Sequence, residues 1–250
     1  MRVIRPSTLS SLERRRTALL ATTMLAVGVL AGQLTLLAPI SIGTTGLTAS
    51  ASAIGLGVGV AWLLRALRPN RTRVLSSALI GMLTPTFDDT YTLVVAPRLP
   101  IRDAARLDGI LVGPGGIRVL TVRDWEGRYR VRGRAWEFDA GGRRGWISCR
   151  TNPSFDAVAL ADGVTRWSSE AGLPDAPIRP AVAFPRRQST IVLEEPVDEI
   201  ITSDNAPWWA NSIGRVRRLD PASAARFLEF VLDAGERAAA TERVPSARPS

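Results

Sequence analysis

Between Arg16 and Arg65 the chain runs for 48 residues without a charged side chain. A helix rises about 1.5 Å per residue and needs about 20 apolar residues to cross a hydrocarbon core. The run is long enough for two such crossings, and it predicts helices over 17–38 and 46–64. Pro39 and the Ser41-Ile42-Gly43-Thr44 stretch supply the turn between them. Residues 17–64 therefore read as a transmembrane hairpin. Arg14, Arg15 and Arg16 precede it, Arg65, Arg68, Arg71 and Arg73 follow it, and the turn carries no charge. The positive-inside rule then places a basic N-terminus (1–16) and everything after the hairpin in the cytoplasm, giving a two-span protein of the cell membrane. Trp62 falls where aromatic anchors sit. Gly28 with Gly32, and Gly55 with Gly59, form small-residue pairs at four-residue spacing. Such pairs let helices approach closely, either with each other or in self-association with a second copy.

Beyond the Pro69-Asn70 break the pattern changes. Val74, Leu75, Leu79, Ile80 and Leu83 recur at helical spacing and predict an amphipathic helix over 71–83. Short apolar runs follow at 91–96, 107–112, 117–123, 128–131 and 135–138. Turn signals at Gly113-Pro114-Gly115-Gly116, Gly127, Gly133 and Gly141-Gly142 separate them, so this part reads as an antiparallel meander. Asn152-Pro153 opens a helix that carries Phe155, Val158, Val164 and Trp167 and ends near Gly172. Strands are expected at 178–184, 190–193 and 200–201, a closing helix at 221–239, and a polar, disordered tail at 241–250. The order gives an α/β fold with helices flanking a mixed sheet, in one domain over 71–240.

Charge modifies this picture only locally. The net charge is +9, and all 32 basic residues are Arg. Up to Arg73 there are nine Arg against one acid, and from Val74 onward 23 against 22, so the basicity belongs to the flanks of the apolar run. Within the domain, 118–150 holds nine Arg and four acids. This excess suits either the solvated face of a β-rich segment or a phosphate-binding surface. With no His and a single Cys149, the chain cannot assemble His/Cys zinc sites, His-based triads or an internal disulfide. Any metal must be held by oxygen. The Gly113–Gly116 run lacks the following Lys and helix of a phosphate-cradling loop and reads as a hairpin turn. Trp208-Trp209 fits a stacking platform for bases or, as a packing feature, a core contact.

The stretch LDGILVGPGGIRVLTVRDWEG, from Leu107 to Gly127, resembles the core of the nuclease-related (NERD) domain of the PD-(D/E)XK nuclease superfamily. Asp108 opening a strand, the Gly113–Gly116 hairpin, Asp124 and Gly127 fall at matching positions, as do Trp136 and Asn152-Pro153 further on. The resemblance covers roughly 71–184 and implies a restriction-endonuclease-like sheet behind the hairpin. It also implies where chemistry belongs. Asp108 takes the place of a metal-ligating acid, Thr121 that of the motif Glu, Arg123 that of the motif Lys, and Asp156 that of a helix residue approaching the site. The superfamily's reaction uses carboxylates on adjacent strands to hold Mg²⁺ and a Lys beside the attacked phosphate. Thr121 brings no charge to a hard cation, and Arg123 stays protonated and cannot act as a base. The resemblance with these replacements implies a membrane-tethered pseudoenzyme that binds nucleic acid or a protein partner without efficient cleavage. The alternatives are an Mg-dependent nuclease with rearranged ligands and a non-catalytic scaffold.

Overall fold

The computed structural model describes residues 1–5, 10–37, 42–67, 71–101, 107–173, 176–215 and 218–241. The chain divides into two units, Ser7–Asn70 and a larger one comprising Met1–Pro6 with Arg71–Ser250.

The smaller unit is a pair of helices, α1 (Ser10–Leu37) and α2 (Ile42–Leu67). Gly28, Gly32, Gly55 and Gly59 lie where the two helices meet. A Cβ on Gly28 would lie 2.7 Å from the Leu56 nitrogen, and one on Gly55 2.9 Å from the Gly28 Cα. A Cβ on Gly59 would lie 2.9 Å from the Leu25 nitrogen, and one on Gly32 2.9 Å from the Ser52 hydroxyl. The Ser52 hydroxyl also donates to the Gly28 carbonyl at 2.8 Å. The small-residue faces thus serve packing of α1 on α2, which corrects the expectation of self-association through them.

The transmembrane hairpin is corrected as well. Among the described residues no helix is long and apolar enough to cross a membrane. Along α1 the hydroxyls of Thr22 and Thr23 bond back to the Ala18 and Leu19 carbonyls, and Gln33 in α1 and Ser50 and Ser52 in α2 interrupt the apolar run. The two-span membrane placement and its cytoplasmic topology lose their basis with it. The Pro39 and Ser41 part of the expected turn and the 242–250 tail lie outside the described residues, and so do the side chains of Arg14–Arg16, Arg65, Arg68 and Arg71.

In the larger unit, α3 (Arg71–Leu83) precedes three strands that form the expected meander, β2 (Thr92–Val95), β3 (Gly109–Gly113) and β4 (Gly116–Val122). Each is antiparallel to the next. The β3–β4 turn demands its glycines. A Cβ on Gly113 would sit 2.1 Å from the Tyr91 ring, one on Gly115 2.5 Å from the Ile213 carbonyl oxygen, and Gly116 has φ +102. After β4 the chain leaves the sheet. β5 (Gly127–Arg132), β6 (Ala135–Asp139) and β7 (Trp146–Ser148) form a second meander. Then α4 (Pro153–Glu170) returns the chain to β8 (Ile178–Phe184), which lies parallel to β4. β9 (Ser189–Glu194) joins the second sheet parallel to β5, and β10 (Glu199–Thr202) joins the first parallel to β8. Helices α5 (Ala206–Gly214) and α6 (Pro221–Thr241) complete the unit. A short strand, β1 (Arg2–Ile4), pairs in parallel with β2 at the sheet edge.

The result is two sheets, ordered β1-β2-β3-β4-β8-β10 and β7-β6-β5-β9, where the sequence pattern predicted one. Alternation along the first sheet explains its layers. Leu93, Leu111, Leu120 and Ala181 face α3 and α5 with Leu79, Leu83 and Trp209, whereas Val94, Ile110, Val119 and Ile117 face α4 and α6 with Val164, Phe227 and Val231. The second sheet closes a third cluster, Val131 and Trp136 against Ala157, Val182 and Phe184.

Candidate functional site

The site residues implied by the resemblance converge on the C-terminal end of β4. The two-residue turn at Pro114-Gly115 fixes the register, with Gly113 opposite Gly116 and Gly109 opposite Leu120. One step further puts Asp108 opposite Thr121. Both share the parity of Ile110 and Val119, so they belong to the face covered by α4, and Arg123 follows two residues on with the same parity. Asp156 arrives from the first turn of α4. That turn is held by a local joint. Asn152 accepts the Ser154 N–H at 3.0 Å and donates to the Arg134 carbonyl at 2.8 Å, while the Trp136 indole donates to the Ser154 hydroxyl at 3.0 Å. Trp136 and Asn152-Pro153 thus join the second sheet to α4.

The charged groups at this end are engaged by backbone or by each other, and the one hydroxyl is buried without a partner. The Asp108 carboxylate accepts the Val122 backbone N–H at 2.7 Å, and its carbonyl accepts the Ala96 N–H at 2.9 Å. Ala96 takes up a left-handed conformation at φ 48 to make that turn. The Arg123 guanidinium donates to Asp156 at 2.5 Å and more weakly to the Val122 carbonyl. Thr121 is 1% exposed, and its hydroxyl has no hydrogen-bond partner. Asp124 points away from this group, as alternation requires, and accepts from Arg186 through both carboxylate oxygens at 3.2 Å.

The donor set does not fit a divalent cation. Mg²⁺ takes hard oxygen ligands, with at least one or two carboxylates aimed at it. Here the Thr121 position supplies a neutral hydroxyl, one Asp108 oxygen is engaged by the backbone, and Asp156 is neutralised by Arg123. Among the described residues no group of three or more His, Cys, Asp and Glu side chains could hold a metal ion. Cys149 offers no substitute nucleophile, because burial, and secondarily the charge of Glu137, push its thiol pKa up.

The arginine excess of 118–150 proves to be mostly paired. On the outer face of the second sheet Arg128 meets Asp139 at 3.6 Å, Arg130 meets Glu137 and Glu194, and Arg132 meets Glu194 at 2.9 Å. Arg134 lies 3.4 Å from Asp198, without hydrogen-bond geometry. The Trp146 ring is covered by the Arg130 guanidinium at 4.7 Å and that of Arg128 at 5.5 Å. This is the solvated-face alternative for the charge cluster.

At the other end of β4 stands a group that no local pattern announced. Arg118 is 3% exposed, and its Nε and Nη2 donate to the two Glu199 carboxylate oxygens, each at 3.1 Å. Its third donor reaches the Gly115 carbonyl, and the Trp209 indole donates to Glu199 at 2.9 Å. Trp209 is thereby a core residue, while Trp208 beside it is 72% exposed, so the two do not form a stacking platform. Glu199 lies 81 residues from Arg118. In the sequence Glu199 is one of four acids between Glu194 and Glu199 ahead of the Ile200-Ile201 strand, with nothing to single it out.

A comparison with protein-family models finds no match for the chain. Comparisons with curated proteins and with solved structures find none either.

Proposed function

We propose that the larger unit is a nuclease-related domain that has lost its cleavage centre and acts by binding a partner. The observation that carries this reading is the state of the β4 end. Asp108 faces Thr121 in the register where the resemblance expects two carboxylates, yet Asp108 caps a strand and Arg123 is paired with Asp156. The path α3-β2-β3-β4, followed after the second meander by α4 and by β8 parallel to β4, supports the same reading by setting these positions on adjacent strands under one helix. Among partners, the pairing of Arg128, Arg130 and Arg132 with Glu137, Asp139 and Glu194 favours a protein over a polyanion, since those charges are already neutralised.

Incubating the full chain with single- and double-stranded DNA and RNA in Mg²⁺ tests the proposal, with Asp108→Ala prepared in parallel. The expected result is no cleavage above background in either protein. Robust cutting by the wild type that Asp108→Ala abolishes would overturn it.

A further inference from the structure

A cavity of about 340 Å³ opens on the face of the first sheet opposite the Asp108 group. It lies between α3 and the start of α5, beyond the carboxyl ends of the parallel strands β8 and β10, where Pro185, Arg187 and Ser203 line it. Crevices outside the carboxyl ends of parallel strands are the usual ligand positions of α/β sheets, and the volume falls near the lower end of the about 300–1,000 Å³ found for small-ligand sites. We propose that this cavity binds a small organic anion with a compact apolar body.

Three observations carry the proposal. The first is charge. Arg187 is the single ionic side chain of the lining, and among the described residues it forms no ion pair or side-chain hydrogen bond. Its neighbour Arg186 is held by Asp124, which leaves Arg187 as the cation presented to the cavity. The second is the wall. Met82, Pro185 and Pro207 are apolar, so the site offers one anchoring charge beside a desolvating surface. That combination selects an anion with an apolar body over a bare inorganic ion. The third is Gly81. Glycine inside a helix costs about 1 kcal/mol relative to Ala, and no atom within 4 Å and no unusual φ requires it here. Gly81 lines the cavity, and a longer side chain there would have open space to project into.

Titrating the ¹⁵N-labelled full chain with benzoate, phenyl phosphate and neutral benzyl alcohol, and following the amide signals of Gly81, Arg187, Ser203 and Ala206, tests this. At least one of the two anions should give saturable shifts at these positions, and which one does so separates a carboxylate from a phosphate ligand. Arg187→Gln, an exposed substitution, should weaken that binding by about tenfold or more. Benzyl alcohol should bind the wild type at least about tenfold more weakly than the anion. Gly81→Leu should abolish the shifts while leaving the Arg118 and Trp209 amides in place. Absence of saturation with both anions, equal affinity in Arg187→Gln, or equal binding of benzyl alcohol would each overturn the proposal.

Discussion

At the start of β4 a buried arginine meets a carboxylate through two hydrogen bonds, with an indole and a carbonyl completing the shell. At the end of the same strand, five residues on, an arginine is tied to an aspartate at the surface and a threonine hydroxyl is buried with no partner. The strand, the parity rule and the two covering layers are common to both ends. The difference is completeness. Every donor of the Arg118 fork that points inward finds an acceptor, so its desolvation is offset. Thr121 loses water and gains nothing. The first end is a structural lock between β4 and β10 across β8. The second gathers Asp108, Thr121, Arg123 and Asp156, with their polar atoms tied to backbone, to each other or to nothing.

Breaking the lock has the largest expected effect. Arg118→Met keeps the volume but strands Glu199 and leaves the Trp209 indole on an uncompensated carboxylate. Removing one partner of a buried pair costs about 3–5 kcal/mol, and the lower part of that range applies because the Glu199 side chain is 21% exposed. Denaturant unfolding of variant against wild type reads the difference, and a loss under about 1 kcal/mol would show that the pair is replaceable. Asp108→Ala comes next. It removes a charge-assisted acceptor from the Val122 N–H, a bond worth about 1.5–3 kcal/mol. The same unfolding measurement should show a loss in that range, and an unchanged midpoint would mean that water serves the Val122 N–H equally well. The smallest effect has the opposite sign. Thr121→Val replaces an unpartnered buried hydroxyl by a methyl of similar size, so stability should rise by about 1 kcal/mol. A fall in the unfolding midpoint would reveal a partner for that hydroxyl.

The two ends also differ in how far the sequence disclosed them. The candidate residues came from the resemblance, and only their placement on one face follows from local arithmetic. A two-residue turn at Pro114-Gly115 sets the register, period-two alternation sets the faces, and Asn152-Pro153 sets the start of α4. Their partners were not legible, since nothing in the strand pattern says that Asp156 pairs with Arg123 or that Asp108 turns back onto Val122. The lock was invisible, because Arg118 and Glu199 are joined only by the parallel neighbours β4, β8 and β10, whose order has no local signature. For the same reason β5 was expected to continue the first meander, whereas after Asp124 it pairs with β9 in another sheet. β1 was missed because three residues pairing in parallel leave no periodicity to read, and α5 because its nine residues carry Pro207 in the first turn and two tryptophans of opposite burial. The charge-free run was read from its length and its Arg flanks, and among the described residues no helix is long and apolar enough to form the expected membrane hairpin.

The central claim is that the end of β4 does not hold a divalent cation, and the most direct measurement is Mn²⁺ binding to the full chain, followed by electron paramagnetic resonance of the free ion. Mn²⁺ takes the same oxygen ligands as Mg²⁺ and reports occupancy without any turnover. The expected result is no saturable site, with titration curves of wild type and Asp108→Ala that superimpose. A stoichiometric site present in the wild type and absent in Asp108→Ala would contradict it.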